Sequence, residues 1–532
     1  MTASYDAIVI GAGVNGLVAA AALGKAGRRV LVVERAEHTG GQSRAIEFRP
    51  GFRAPLSADG GWLPPVVARG IGLAIPPSTE PAISTTVIRE GGFMAIPSDP
   101  ARATDVIRKY STRDATRWAP FVARLNKLAG FLGELYQLPA PDIDTAAFGD
   151  VMSMLGLGRK FRALGRADMT ELLRVMPMSI QDLLDDEFES DSLKAAVGAG
   201  GVRDIRQGPR SGGTTFVLLH HLVGARSGSI RARPWWRDAP DALVDSVEAI
   251  ARRHGAVIRT GARVTTIVVK DDAVSGIVLA DGEEIIAPLV ISTADPTQTL
   301  GEMIDPVWLD PDVLLAVRNI KYRGCTAFVL YALESLPGAS ATGLGGDELA
   351  SVVSLTPSLS ALERSYDAAK YGRMSIEPHV EITVPSLRWS SLAPNGKHVL
   401  VARVQYAPHQ LSDGVWNDDR RRELGDSITG VINRALPGFE GLVSYHETLT
   451  PVDLEARFGV TGGALTHGEL TLDQILFMRP IAGYGRHAMP IDGLYLGGRG
   501  AHPGPGILGG AGWLAARAAM TRGAKTAQRA SR

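Results

Sequence analysis

The sequence predicts an α/β protein in which a parallel sheet with its helices is interleaved with a second, mixed α+β region. Three observations carry this reading. Ala7 to Glu34 has the rhythm of strand, glycine-rich turn, helix and strand. Short alternating strands return only much later, between Val257 and Ile291, and Gly493 to Gly498 is a strand that runs into a last glycine-rich helix. Segments of one layer are thus separated in the chain by segments of a different rhythm.

At 532 residues the chain is too long for one ordinary core, so two or more domains are expected. Hydrophobic content of 45% with 21% charged residues describes a globular chain rather than a disordered one. Lys+Arg and Asp+Glu are both 56, and this zero balance argues against a nucleic-acid binder, which would carry a basic excess. The single cysteine, Cys325, excludes an intramolecular disulfide, a C-x-x-C redox pair and a multi-cysteine zinc site.

The first element is "AIVIGAGVNGLVAAAALG", Ala7 to Gly24, which has no charge between Asp6 and Lys25. It is long enough to be weighed as a membrane span. Gly11, Gly13, Gly16, Gly24 and Asn15 count against that, and Met1 to Asp6 has no Lys or Arg to open a secretion signal. The run parses better as a buried strand at Ala7 to Ile10, G-x-G-x-x-G at Gly11, Gly13 and Gly16, and an Ala-rich helix from Leu17 to Ala26. Val30 to Glu34 is a second strand ending in an acid. Gly11 allows the tight turn, Gly13 lets backbone approach a pyrophosphate, and Gly16 lets helix pack on strand. The helix N-terminus favours phosphate, and Glu34 can accept from ribose hydroxyls while repelling a 2′-phosphate. This is a Rossmann-type dinucleotide site.

Gly40 and Gly41 follow a few residues later and bring a second set of backbone N–H groups to the phosphate side. Nicotinamide dehydrogenases do not generally show that doublet, so the pair favours FAD. Arg44 is a candidate phosphate partner, with a solvated surface arginine as the alternative.

From about Pro76 to Ala225 the pattern looks mostly helical, with segments at Pro120 to Leu138 and Met169 to Val175. Asp182 to Val197 reads as a solvated, amphipathic helix. His220 and His221 are adjacent and cannot face the same way on a helix, so packing or capping is favoured over a paired metal site. Asp241 to Arg253 is a helix, followed by short strands at Val257-Ile258, Val264 to Val269, Val274 to Leu279 and Glu284 to Ile291. Further strands are expected at Cys325 to Leu333 and Lys397 to Ala407, with a helix from Trp416 to Leu436. The last helix opens with a second G-x-G-x-x-G at Gly504, Gly506 and Gly509. No ribose acid follows it, so it is read as a helix start aimed at one edge of a flavin ring, where its dipole would favour the reduced, anionic form.

These motifs make the chain resemble the phytoene desaturase-like flavoproteins, and most closely the pyridine nucleotide-disulphide oxidoreductase domain-containing protein 2 branch. The likeness covers most of the length. It rests on "VIGAGVNGLVAAAALGKAGRRVLVVERAEHTGG", "FESDSLKAAV" with "GGTTFVLLHHL", "HGELTLDQILFMRP" and "GLYLGGRGAHPGPGILGGAGWLAARA". It implies a Rossmann-type FAD-binding domain (1–74, 226–296 and 485–532) interleaved with a mixed α+β substrate domain (75–225 and 297–484). It also implies that Gly11, Gly13, Gly16, Glu34, Gly40 and Gly41 bind the FAD phosphates and ribose. Val264 would offer backbone hydrogen bonds to adenine, and Gly500, Gly504, Gly506 and Ile507 would lie along the isoalloxazine. Two departures stand out. The family's usual arginine after the doublet is Gln42 here, with Arg44 displaced, and a small-residue loop is replaced by "RARPWWRDAPDAL". Trp235 and Trp236 in that loop are substrate-pocket candidates, with filling the core or covering the cofactor as the alternative.

The expected protein is an FAD-dependent oxidoreductase that transfers hydride between a hydrophobic, isoprenoid or lipid-like substrate and flavin N5. The electron acceptor (oxygen, a quinone or another) is left open. Arg499, His502 and Asp473 are the candidate polar groups near the ring, with His467 behind them; no metal is expected. A cytoplasmic location is expected, with peripheral membrane contact open. The alternatives are an amine oxidase-like flavoenzyme using Trp235 and Trp236 as an aromatic cage, and an FAD-binding protein that acts through partners without turnover.

Overall fold

Strand β1 (Ala7–Ile10) and strand β2 (Val30–Val33) are buried at every residue, as interior strands of a parallel sheet covered on both faces must be. The computed structural model describes residues 4–57, 61–140, 156, 158–225, 228–231, 233–338 and 342–530. The domain boundary expected at residue 226 lies outside them. Among the described residues the parallel sheet has the order Leu494–Leu496, Val290–Ser292, β1, β2, Val257–Arg259. Its register sets Ile8 beside both Val290 and Leu31. Three distant stretches of chain therefore build one sheet.

Helix α1 (Val14–Lys25) lies under this sheet, buried along most of its length. Three glycines make its close contacts. A Cβ on Gly16 would lie 1.9 Å from the Gly11 carbonyl oxygen, and one on Gly24 would lie 2.6 Å from that of His254. A Cβ on Gly512 would lie 1.9 Å from the carbonyl oxygen of Asn15, so the C-terminal helix (Gly510–Ala530) also meets α1 backbone to backbone. No side chain fits at these crossings.

The expected strand Glu284 to Ile291 is two strands in two sheets. Glu284–Ile286 joins Val264–Lys270 and Ala273–Leu279 in a small antiparallel sheet, whereas Val290–Ser292 enters the parallel one. Pro288 between them lacks the N–H a continuous strand would need.

The second layer is a seven-stranded sheet in which Thr326–Leu333 and His398–Gln405 pair antiparallel from Thr326/Gln405 to Leu333/His398. Its far edge corrects the helical reading of the 76–225 segment. Ile83–Arg89 and Gly92–Pro97 form a hairpin, joined to the sheet through Val353–Ser354. Gly91 at φ +75° and Gly92 at φ +138° supply the turn.

Beyond this hairpin and the short strand Ser78–Thr79, the regular elements among the described residues of that segment are helices. Thr112–Leu135 is one helix with Pro120 inside it, capped by Ser111, whose Oγ accepts from Asp114 N at 3.0 Å. The stretch Asp182 to Val197 is two helices, Ile180–Glu187 and Asp191–Gly198. Phe188 between them turns into the core, edge-on to Phe121 at 4.9 Å. The buried Asp114 carboxylate accepts from Glu189 N and Ser190 N, both at 2.9 Å, and holds the break. Helices Ala242–Arg253 and Asp418–Ala435 fall where the sequence places them. No helix among the described residues is long and apolar enough to cross a membrane.

The glycine crossings can be tested by melting. Gly512→Val should cost about 1–3 kcal/mol through overpacking against Asn15 and lower Tm. Gly430→Ala, in a helix interior where a Cβ would meet only Arg434 Nη1 at 3.8 Å, should gain about 0.5–1 kcal/mol. An unchanged melt for Gly512→Val contradicts the packing described.

Candidate active site

The turn after β1 is held by backbone geometry and one carboxylate. Gly11 has φ +95°, and its N–H donates to Val33 O at 2.8 Å. Glu34, at the end of β2, accepts from Ala12 N at 2.7 Å and from Ala36 N at 2.9 Å, so the acid that closes the motif also fixes the glycine turn. Gly40 N donates to Ala12 O at 2.8 Å, which sets the doublet Gly40-Gly41 against Gly13. A Cβ on Gly13 would point into open space. That residue is therefore a glycine for what can approach it, not for what packs on it. As the N-cap of α1 it offers no side-chain cap, leaving the first-turn N–H groups for a ligand.

The open space is a cavity of about 820 Å³. It reaches from Glu34 and Val264, past Gly13 and Gly41, to His467, Arg499 and Ile507. Two buried polar atoms without a partner, Asn15 Oδ1 and His467 Nδ1, belong to residues that line it. The donor set, the open cradle at Gly13 and these unsatisfied atoms fit a dinucleotide with a pyrophosphate centre.

At the far end, a buried arginine organises the backbone. Arg479 donates to the carbonyl oxygens of Arg499 at 2.9 and 3.0 Å, Gln474 at 3.1 Å and Gly468 at 3.2 Å, and also to those of Thr466, His467 and Glu469. Burial pushes its guanidinium down to about 10, which still leaves it charged near neutral pH. This cage fixes the loop that carries His467, at φ +52°, and the turn that carries Arg499. Burial, then the Arg499 and Arg479 charges, push His467 down to about 3, so it faces the cavity as neutral imidazole. Arg499 donates to the side-chain oxygen of Gln42.

A smaller chamber of about 110 Å³ adjoins this end and shares Gln42, Ser43, Arg499, Gly506 and Leu508 with the long cavity. Trp235, Trp236, Trp389 and Phe328 form its apolar walls. Trp389 Nε1 donates to Trp236 O at 2.7 Å, and Arg388 stacks over the Trp235 ring at 4.1 Å. Trp235–Trp236 is itself a short strand paired with Ser78–Thr79.

The structure brings together Gly11, Gly13, Glu34, Gly40, Gly41, Arg44, Val264, Arg499, Gly506, Ile507 and His467 along the long cavity, and Trp235 and Trp236 in the chamber. Others lie elsewhere. Gly16 packs α1 on β1, Gly500 lies against Pro296, and Gly504 lies between Arg479 and His220. Arg44 reaches the cavity wall but is engaged by Thr39 O at 2.6 Å and Asp245 at 2.9 Å, which ties it to the helix beginning at Ala242. Asp473 is corrected outright: it is more than half exposed and pairs with Lys321 Nζ at 2.6 Å, away from either cavity. His502 is buried with Nε2 3.0 Å from Leu138 O and lines neither space. His220 supports the last turn. Its Nε2 donates to Pro505 O at 2.8 Å, so Nδ1 accepts from the Tyr136 hydroxyl at 2.7 Å. Cys325 is buried, and burial pushes its thiol up. Sequence reasoning missed Arg479, although a charge inside the apolar "ILFMRP" was a signal for it.

Residues 9–65 match the NAD(P)-binding Rossmann-like domain family model. The chain is 32% identical to rat pyridine nucleotide-disulfide oxidoreductase domain-containing protein 2 over 540 residues, covering 96% of this chain and 92% of the rat protein. The chain belongs to that family. Members of the wider group lie further off: the phytoene dehydrogenase of Streptomyces griseus is 25% identical over 86% of this chain and 84% of its own. Putrescine oxidase bound to putrescine shares the fold at 17% identity, with TM-score 0.57 over 98% of this chain and all of its own. The family's domain-level name notwithstanding, one cysteine cannot form an intramolecular redox disulfide.

Buried neutral histidines give the fold a pH dependence. Burial holds His220 and His467 down at about 3 and His379, His487 and His502 down at about 4. Unfolded histidines take up protons below about 6.5, while the folded ones resist, so stability is fully present above that pH and lost as pH falls toward 4. Tm should hold above pH 7 and drop progressively between pH 6.5 and 4, with a shallower drop in His502→Gln. A flat Tm between pH 7 and pH 5 contradicts this.

Proposed function

We propose that this protein is an FAD-dependent oxidoreductase that moves hydride between a substrate carbon and flavin N5. The long cavity would hold FAD, and the chamber beside Arg499 the reacting part of the substrate. The observation that carries the reading is the continuity of one 820 Å³ space from the glycine turn and Glu34 to Arg499 and the C-terminal glycine turn. A nicotinamide site would use the first motif without needing the last. The family relationship, and the named dehydrogenase and oxidase among its relatives, support oxidoreductase chemistry of this kind.

FAD, when bound, would supply two-electron hydride chemistry. The residues of this chain would do the rest. Glu34 would accept from ribose hydroxyls, and Gly13, Gly41 and the N-terminus of α1 would give N–H groups to the pyrophosphate. Val264 would offer backbone to adenine. Arg499 would set a fixed positive charge at the flavin end, while His467, held neutral, adds none. The aromatic walls would exclude water and pack an apolar carbon skeleton. Tyr136 and His220 bond each other and line neither space; His220 holds Pro505, so the pair would act on the turn rather than on substrate.

FAD titration of the apoprotein, followed by quenching of flavin fluorescence, tests the placement. Wild type should take up one equivalent. Gly13→Val, which fills the open cradle, and Glu34→Ala should bind about tenfold or more weakly, a loss of about 1.4 kcal/mol or greater. Wild-type uptake by Gly13→Val would place the cofactor elsewhere. Uptake without reduction by any substrate would favour a protein acting through partners.

A further inference from the structure

Gln42 takes the place of the family's usual arginine, and its surroundings give that change a chemical reason. It sits in the 3-10 turn Gly41–Ser43, which is closed by Ser43 N donating to Gly40 O at 3.1 Å and Arg44 N to Gly41 O at 3.2 Å. Acids at the start of the helix Ala242–Arg253 and along it anchor the turn on one side. Ala45 N donates to Asp241 at 2.8 Å, Arg44 to Asp245 at 2.9 Å and Thr39 to Glu248 at 2.5 Å. The Gln42 side chain therefore projects from a fixed base, and its Oε1 accepts from Arg499 Nη1. Arg499 is held at its own carbonyl by Arg479 and also donates from Nη1 to Leu465 O at 3.4 Å. Both side chains line the long cavity and the chamber, so the bond between them lies at the boundary of the two spaces.

That bond asks for a neutral acceptor. A guanidinium group only donates, so an arginine at position 42 would bring two like charges together with no acceptor between them. A carboxylate there would accept, but would cancel the charge. The glutamine amide fixes the guanidinium and leaves its charge in place, and among the described residues Arg499 pairs with no carboxylate. Burial pulls the Arg499 guanidinium down to about 10, so it stays charged near neutral pH. We propose that Gln42 is a positioning residue that holds the Arg499 charge at the boundary of the two spaces and so raises the reduction potential of the bound flavin. Reduction adds negative charge to the ring, and a fixed cation beside it favours the reduced form. The proposal rests on the flavin reading above and extends it to a residue that carries no charge of its own.

The midpoint potential of the FAD-loaded protein, measured anaerobically against reference dyes, tests this. Arg499→Met should lower it by about 30 mV or more, which is about a tenfold fall in the reduction equilibrium constant of a two-electron couple. Gln42→Met, which frees the guanidinium, should lower the same constant about threefold or more. Gln42→Glu is nearly isosteric and keeps the acceptor but neutralises the charge, so it should fall at least as far as Arg499→Met. It also carries the test if Gln42→Met does not fold. The double variant Gln42→Met/Arg499→Met should lie no lower than Arg499→Met alone, since Gln42 acts through Arg499. A wild-type potential in Arg499→Met, in Gln42→Glu or in a folded Gln42→Met, or additive shifts in the double variant, overturns the proposal and leaves the flavin reading standing. A protein that takes up no FAD overturns both.

Discussion

The backbone contacts of α1 are the constraint on which the rest of the structure depends. Gly16 against Gly11, Gly24 against His254 and Gly512 against Asn15 leave no room for a side chain, so the preceding turn and two distant stretches of chain close on one helix. That closure places the N-terminus of α1 beside the C-terminal glycine turn. It also aligns Val290–Ser292 next to β1 and Leu494–Leu496 beyond it, although both lie far from β1 in sequence. Without these contacts the long cavity would have no second wall. Buried apolar surface drives the packing, but the absence of Cβ atoms decides how close the helices come.

Charge in the site follows from the same closure. Arg479 is buried, pairs with no carboxylate among the described residues, and is satisfied by a ring of carbonyls. It thereby converts an otherwise irregular loop into a fixed support for His467 and Arg499. Arg499 then stands where the two spaces meet. One end of the site is arranged around the N-terminus of α1 and the other carries the guanidinium group of Arg499.

The first glycine motif was legible because each of its glycines has a local reason, visible as strand before and helix after. Gly11 needs positive φ, Gly13 needs open space, and Gly16 needs contact with Gly11. Glu34 was legible as the acid that ends β2. Its two bonds to Ala12 and Ala36 were not, because a backbone donor leaves no mark in sequence. The carbonyl cage of Arg479 was hidden for the same reason. The arginines of the chamber come from residues 203, 233, 403 and 499, so no window of sequence shows them together. Asp473 misled because its motif carries the family likeness, yet Lys321 draws its carboxylate to the surface. The hairpin Ile83–Arg89 with Gly92–Pro97 was missed although its β-branched run and glycine pair were in view; helical neighbours on the C-terminal side dominated the pattern.

The central claim is that the long cavity holds a flavin dinucleotide. The direct measurement is the visible absorption spectrum of the purified protein, with chromatographic and mass identification of what denaturation releases. The account predicts a yellow protein with a flavin band, releasing FAD at close to one equivalent per chain. A colourless protein that releases no dinucleotide and takes up no FAD when supplied would contradict it.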